Sequence, residues 1–162
     1  MIISFSGHRS PKIGGFKIPN PTYDYIRSEL RNKLIELKPE EAISGMAIGF
    51  DTIAAEVCIE LGIALIAATP FVGQQAIWPV AAQNHYLKLL AAAKRVEVVS
   101  PGGYAAWKMQ VRNQWMSDHS DIVIACFDGS PGGTKNAVDY AKSINKQIII
   151  IDPTKAPNET YT

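Results

Sequence analysis

The stretch Ile122-Val123-Ile124-Ala125-Cys126-Phe127-Asp128-Gly129-Ser130-Pro131-Gly132-Gly133-Thr134-Lys135-Asn136-Ala137-Val138 passes from an unbroken apolar run through a glycine-rich turn into a helical pattern. The tripeptide Pro-Gly-Gly also occurs at Pro101-Gly102-Gly103, after Val96-Glu97-Val98-Val99. Pro fixes φ and Gly tolerates positive φ, so both tripeptides satisfy ordinary turn chemistry. What surrounds them decides whether either does more.

The same order, apolar run then turn then helical spacing, recurs along the chain. Strands are predicted at Ile2–Phe5, Ala42–Ser44, Ile63–Ala68, Val96–Val99, Ile122–Ala125 and Gln147–Ile151. Their hydrophobicity is continuous rather than alternating, which suits strands covered on both faces of a parallel sheet. Between them, Tyr23, Ile26, Leu30, Leu34 and Leu37 recur at helical steps, as do Phe50, Ile53, Ala54, Val57 and Leu61. Trp107, Val111 and Trp115 form a third stripe, and Ala137, Ala141 and Ile144 a fourth. Such stripes lie on the core, which leaves Arg112 beside its stripe as a surface cation. Strand and helix alternating throughout predict a Rossmann-like, three-layer α/β/α sandwich with a mostly parallel sheet of about six strands. The predicted domain covers residues 1–153, and the polar residues 154–162 form a fraying tail.

Bulk properties exclude several classes. With 162 residues, 47% hydrophobic and 19% charged, the chain suits one globular domain and not a disordered segment. A net charge of +1 supplies no global field for nucleic acid or an anionic membrane, so any anion site is local. Cys58 and Cys126 are far apart and belong to no Cys/His cluster, so neither a zinc site nor a disulfide framework is predicted. Without a leader-like or membrane-length apolar segment, a cytoplasmic setting is expected.

In an open parallel sheet, ligands bind beyond the carboxyl ends of the strands. The loops there are rich in glycine: Ser6-Gly7-His8-Arg9-Ser10, Gly45-Met46-Ala47-Ile48-Gly49-Phe50-Asp51, Thr69 to Gln75, Ser100 to Gly103, and Phe127 to Thr134. Glycine lets backbone N–H groups approach a ligand, and a following helix start favours negative charge. Phosphate is the expected occupant. His8 and Arg9 offer a donor and a fixed cation, and Phe71 or Trp78 offers a face for a base. His85 and His119 have no ligand-like neighbours in sequence and read as solvated or capping residues.

Taken together, these loops resemble the YpsA-type branch of the SLOG superfamily, the Rossmann-like group that includes DprA and the LOG proteins. The residues that carry the resemblance are Gly7-His8-Arg9, Ser44 to Asp51 with Ala54-Ala55-Glu56, Pro70-Phe71, Gln74, Trp78-Pro79, Arg112 to Met116 with Asp118, and Asp128-Gly129 with Gly132-Gly133-Thr134 and Asn136-Ala137-Val138. The resemblance implies a nucleotide or nucleotide-derived ligand at the glycine-rich edge, in a homodimer or higher oligomer. It places phosphate on Gly132, Gly133 and Thr134, opposite the Gly45 to Asp51 loop. It also makes Arg112 and Asn113 pocket residues, against the surface role that periodicity gives Arg112.

LOG enzymes cleave the base from a nucleoside monophosphate with a PGGxGT turn followed by glutamates. Here Pro101-Gly102-Gly103-Tyr104 continues Ala105-Ala106, and Pro131-Gly132-Gly133-Thr134 continues Lys135-Asn136, without the paired glutamates. The leading expectation is therefore a binding module for a nucleotide-like small molecule, needing no metal and no cofactor. Asp51 and Asp128 are expected near the ribose, with Arg9 or Arg112 neutralising the phosphate. An enzyme cleaving an N-glycosidic or phosphoribosyl bond, using Asp51, Glu56 or Asp128, is the alternative. DNA handling in the manner of DprA is disfavoured by the near-neutral charge.

Overall fold

The computed structural model describes residues 1–16 and 18–157. Six strands form one all-parallel sheet: β1 (Ile2–Gly7), β2 (Glu41–Ser44), β3 (Ala64–Thr69), β4 (Arg95–Val98), β5 (Ile122–Cys126) and β6 (Gln147–Ile151). Five helices connect them: α1 (Pro21–Leu37), α2 (Phe50–Leu61), α3 (Val80–Ala92), α4 (Trp107–Asp118) and α5 (Gly133–Ser143). The predicted Rossmann-like sandwich is the fold observed.

Neighbouring strand residues separate into opposite layers, as the pleat demands. Ile3 and Ala42 pack with α1 and α2 residues such as Leu30 and Phe50, whereas Ile2 and Ile43 lie in the cluster that contains Met116 of α4. Leu65 and Ala67 meet Tyr86 and Leu89 of α3, on the side also served by Ala55 of α2. The strand order is β4-β3-β2-β1-β5-β6. From β1 the chain builds outward through β4, then returns to place β5 on the other side of β1. The crevice between the ends of β1 and β5 is thus the switch point where parallel sheets hold ligands.

Two expectations need correction. Buried strands on both faces hold for the centre of the sheet, but β4 and β6 are edges: Val96, Val98 and Ile150 are each close to half exposed. More consequential is α4, which lies on the sheet by a different stripe from the apolar one. Trp107 is 61% exposed and Val111 is also exposed, while Lys108, Arg112 and Met116 are buried. The polar members face inward because backbone carbonyls at the strand ends need donors: Lys108 Nζ donates to Pro101 O and Gly103 O, both at 2.6 Å, and Arg112 Nη1 to Gly45 O at 2.6 Å. Met116→Ala should therefore cost about 2–4 kcal/mol, whereas Trp107→Ala should cost less than about 1 kcal/mol. Urea unfolding of the two variants reads this difference directly, and equal losses would contradict the inverted face.

At the C-terminus, a short helical turn at Pro153–Lys155 packs against α1, with Asp152 capping it through Thr154 N at 2.9 Å. Of the tail expected at residues 154–162, residues 158–162 lie outside those described.

Candidate functional site

At the switch point, the β1 loop, the Gly45–Asp51 loop, α4 and the start of α5 enclose a cleft of about 330 Å³. Of the residues predicted from sequence, Gly7, His8, Arg9, Ala47, Asp51, Arg112, Asn113, Gly132, Gly133 and Thr134 line it. They arrive from four separate segments of chain.

Local structure explains the positions. Gly7 ends β1 against the ring of Phe50, where a β-carbon would stand 2.6 Å from Phe50 Cβ. Gly49 is the N-terminal cap of α2, and Phe50 N donates to His8 O at 3.1 Å, which ties α2 to the β1 loop. Ser44 turns the next loop, with its Oγ donating to Asp51 O at 2.8 Å and accepting from Met46 N at 3.2 Å. Gly132 caps α5 without a side-chain hydrogen bond, so the first amides of that helix carry the unopposed positive end of its dipole at the cleft.

Three cations line the cleft: Arg9, Lys12 and Arg112. Arg9 is exposed and forms no ion pair among the described residues. Lys12 reaches across the switch point to donate to Ser130 Oγ at 2.8 Å and Pro131 O at 3.4 Å. No sequence pattern marks Lys12, because it falls three residues beyond Arg9 in a non-periodic loop, where only the composition of that loop points to it. Arg112 is only 3% exposed and donates to Gly45 O and, at 3.3 Å, to Ala68 O, while its Nε donates to Asn113 Oδ1 at 2.9 Å.

Gly45 is the spacer between Arg112 and Asp51. A β-carbon there would meet Arg112 Nη1 at 2.7 Å and Asp51 Oδ2 at 2.8 Å. Burial raises the Asp51 carboxyl above its ordinary range, partly offset by Arg112 and by the Ala47 N–H that donates to Oδ2 at 3.3 Å. The same burial lowers Arg112, and Asp51 opposes that shift.

Among the predicted residues, His8 lines the cleft with its ring already committed, and several others lie elsewhere. His8 is 4% exposed, and its Nε2 is already engaged: it accepts Asp128 N–H at 3.0 Å and lies 2.9 Å from Asp128 Oδ1. Nε2 without a proton accepts the amide and Nε2–H donates to the carboxylate, so one nitrogen cannot serve both at once. Asp128 Oδ1 also accepts from Ser130 N at 2.8 Å; hydrogen bonds from Ser130 and then His8 hold its carboxyl far below the usual range. Asp128 and Gly129 thus shape the turn before α5 instead of lining the cleft, and Asn136 is an exposed residue of α5. Glu56 is bound to Arg27 at 2.9 Å and to Tyr23 Oη at 3.1 Å, away from the cleft. Phe71 and Trp78 line a second cavity of about 470 Å³ that shares Arg9, Ala47, Ile48 and Met109 with the first. Met46 and Gly49, again with Trp78, line a third of about 590 Å³.

The two Pro-Gly-Gly turns separate on this evidence. Lys108 closes the one at Pro101 by holding its carbonyls, whereas the one at Pro131 leads into an uncapped helix start at the cleft.

A family model described as the YspA SLOG family matches residues 3–155. The chain belongs to this YpsA family. Among relatives, the uncharacterized SPbeta prophage-derived protein YoqJ of Bacillus subtilis (strain 168) is 33% identical over 144 residues, 76% of this chain and 84% of that protein. DNA processing protein A (DprA) from Streptococcus pneumoniae superposes with a TM-score of 0.64 at 18% identity over 98% of this chain, which spans 50% of that protein. DprA from Helicobacter pylori, which has a unique single-stranded DNA binding mode, gives 0.65 at 21% identity over 95% of this chain and 69% of its own. At these identities the likeness to DprA is one of fold. No described helix of this YpsA-family chain is long and apolar enough to cross a membrane, and no group of three or more described His, Cys, Asp or Glu residues could hold a metal ion.

Proposed function

We propose that this chain binds a nucleotide or nucleotide-derived small molecule, with its phosphate in the 330 Å³ cleft at the switch point. The observation that carries the reading is the convergence of Arg9, Lys12 and the uncapped start of α5 on one cleft. Cationic side chains and helix amides are the donors that phosphate uses, and charge-assisted bonds of this kind are the strong ones. Arg112 sets the floor of the site, and the adjoining cavity with Phe71 and Trp78 offers apolar faces to a base. The volume suits a small molecule.

The test is thermal melting with inorganic phosphate, AMP, NAD, ADP-ribose and a single-stranded oligonucleotide. A ligand at a hundred times its Kd adds about 2.7 kcal/mol, which raises the melting temperature of a domain this size by about 5–10 °C. Lys12→Ala should weaken the responding ligand about tenfold. If none of the small molecules shifts melting, or if only the oligonucleotide does, the reading is wrong; the second result would align the chain with the Helicobacter DprA.

Asp51 favours a second reading, in which the cleft cleaves an N-glycosidic or phosphoribosyl bond. Its raised carboxyl lines the cleft and suits proton donation. Against it, no described glutamate lines the cleft. Chromatography of the same mixtures decides: free base or ribose phosphate that disappears in Asp51→Asn would establish hydrolysis.

A further inference from the structure

Gln74 is a buried polar residue of the cavity beside the cleft, and its side-chain amide is only half used. It opens a short helical turn, Gln74–Ile77, after β3, with Gly73 capping that turn in the left-handed region at φ +84°. Only 7% of Gln74 is exposed, yet it lines the 470 Å³ cavity together with Phe71 and Trp78. Its Nε2 donates to Gly45 O at 3.2 Å and lies 3.5 Å from Tyr86 Oη. Gly45 O has no proton to give, so turning the amide round would set two oxygens against each other. The amide is thereby fixed with its donor end toward the β2 loop.

The other end, Oε1, accepts no hydrogen bond among the described residues. It is not sealed away either, because Gln75 Oε1 is the one described side-chain polar atom that is both closed off from solvent and without a partner. The open space that Gln74 borders is the cavity. A buried acceptor that faces a cavity gains its hydrogen bond only from water or from a donor on a ligand. The other polar neighbours discriminate less. Ser10 also lines the cavity, but a hydroxyl donates or accepts as required. Arg9 lines both cavities and faces the phosphate in the nucleotide reading. Around them the wall is largely apolar: Phe71 and Tyr104 meet edge to face with centroids 5.8 Å apart, and Ile48 and Met109 continue into the cleft.

We propose that Gln74 Oε1 reads the base, accepting from an exocyclic amino group, so that the site selects an amino-bearing nucleobase such as adenine over its oxo counterpart. This inference rests on the nucleotide reading and adds the class of base to it. The selection comes from an acceptor that cannot become a donor. An amino group satisfies Oε1, whereas an oxo group brings two oxygens face to face and leaves both unmet.

AMP, purine riboside monophosphate and IMP share one ribose phosphate and carry amino, hydrogen and oxo groups at the same ring position, and their binding to the whole chain can be followed by calorimetry. AMP should bind about tenfold or more tighter than either of the others. Gln74→Met keeps the length of the side chain and removes the acceptor, while Gly45 O keeps its 2.6 Å bond from Arg112 Nη1. This variant should bring AMP to within about threefold of purine riboside monophosphate, and it should leave the affinity for ribose phosphate unchanged. The inference is overturned if the parent chain binds purine riboside monophosphate or IMP within about threefold of AMP, a comparison that needs no variant. It is overturned equally if a Gln74→Met chain with native-like melting keeps the preference for AMP. Ribose phosphate separates the two failures. Nucleotides and ribose phosphate bound without preference for a base would leave the phosphate cleft standing and remove Gln74 as its reader; no binding of any of them would remove the nucleotide reading and this inference with it.

Discussion

Gly49→Ala is expected to destabilise the chain by about 3–5 kcal/mol, the sum of backbone strain and overpacking. Gly49 has φ +117°, a conformation that side-chain-bearing residues rarely adopt, and its β-carbon would stand 2.7 Å from both Arg9 Cα and His8 O. These neighbours are backbone, so no rotamer change relieves the contact. The β1 loop must move away from α2, which breaks the Phe50 N–His8 O bond and displaces Arg9 from the cleft. For a domain of this size the melting temperature should fall by about 6–20 °C. Gly62→Ala is the control: φ is +72° but the space is open, so only strain of about 1 kcal/mol is expected. Equal losses in the two variants would show that the close approach at Gly49 carries no weight.

Arg112→Met should cost about 3 kcal/mol, because it leaves buried acceptors and a buried carboxyl without their cation. Gly45 O would retain only the 3.2 Å bond from Gln74 Nε2, and Ala68 O would lose its guanidinium donor. Lysine cannot substitute, since the planar fork reaches two carbonyls and Asn113 at once. The loss should also depend on pH. Asp51 already has a raised value from burial, and Arg112 is what pulls it back down. Without Arg112 the folded value rises further above the unfolded one. The stability linked to Asp51 is then full below about pH 4, the unfolded carboxyl value, and falls as pH rises through the raised folded value. Denaturant unfolding from pH 4 to pH 8 should show a steeper decline in Arg112→Met than in the parent chain. Asp51→Asn in the same background should flatten it; a decline that persists would mean the carboxyl is not the coupled group.

The behaviour of α4 marks how far periodicity carries. Trp107, Val111 and Trp115 are spaced as a core stripe, but Lys108, Arg112 and Met116 have the same spacing one position on. Hydrophobicity favours the first set. The fold buries the second, because α4 crosses strand-end carbonyls whose hydrogen bonds must be met. Resemblance to a family put Arg112 in the site where spacing alone put it in solvent. His8 shows the converse: its place after β1 was legible as part of the ligand edge, but not that Asp128, 120 residues away, would engage its Nε2.

The sequence by itself determined the layer architecture, the parallel sheet, the glycine-rich edge and the family. Each of these rests on local signals: continuous apolar runs, helical spacing, and glycines placed directly after strands. Tertiary structure decided which loops meet. Only the strand order brings the ends of β1 and β5 together, so that Lys12 reaches Ser130 across 118 residues. Only packing shows that Lys108 fastens one Pro-Gly-Gly turn while the other stands open at α5. Turn-forming residues specify a local backbone path, whereas the donors that satisfy or spare its polar groups come from chain segments that folding alone makes neighbours.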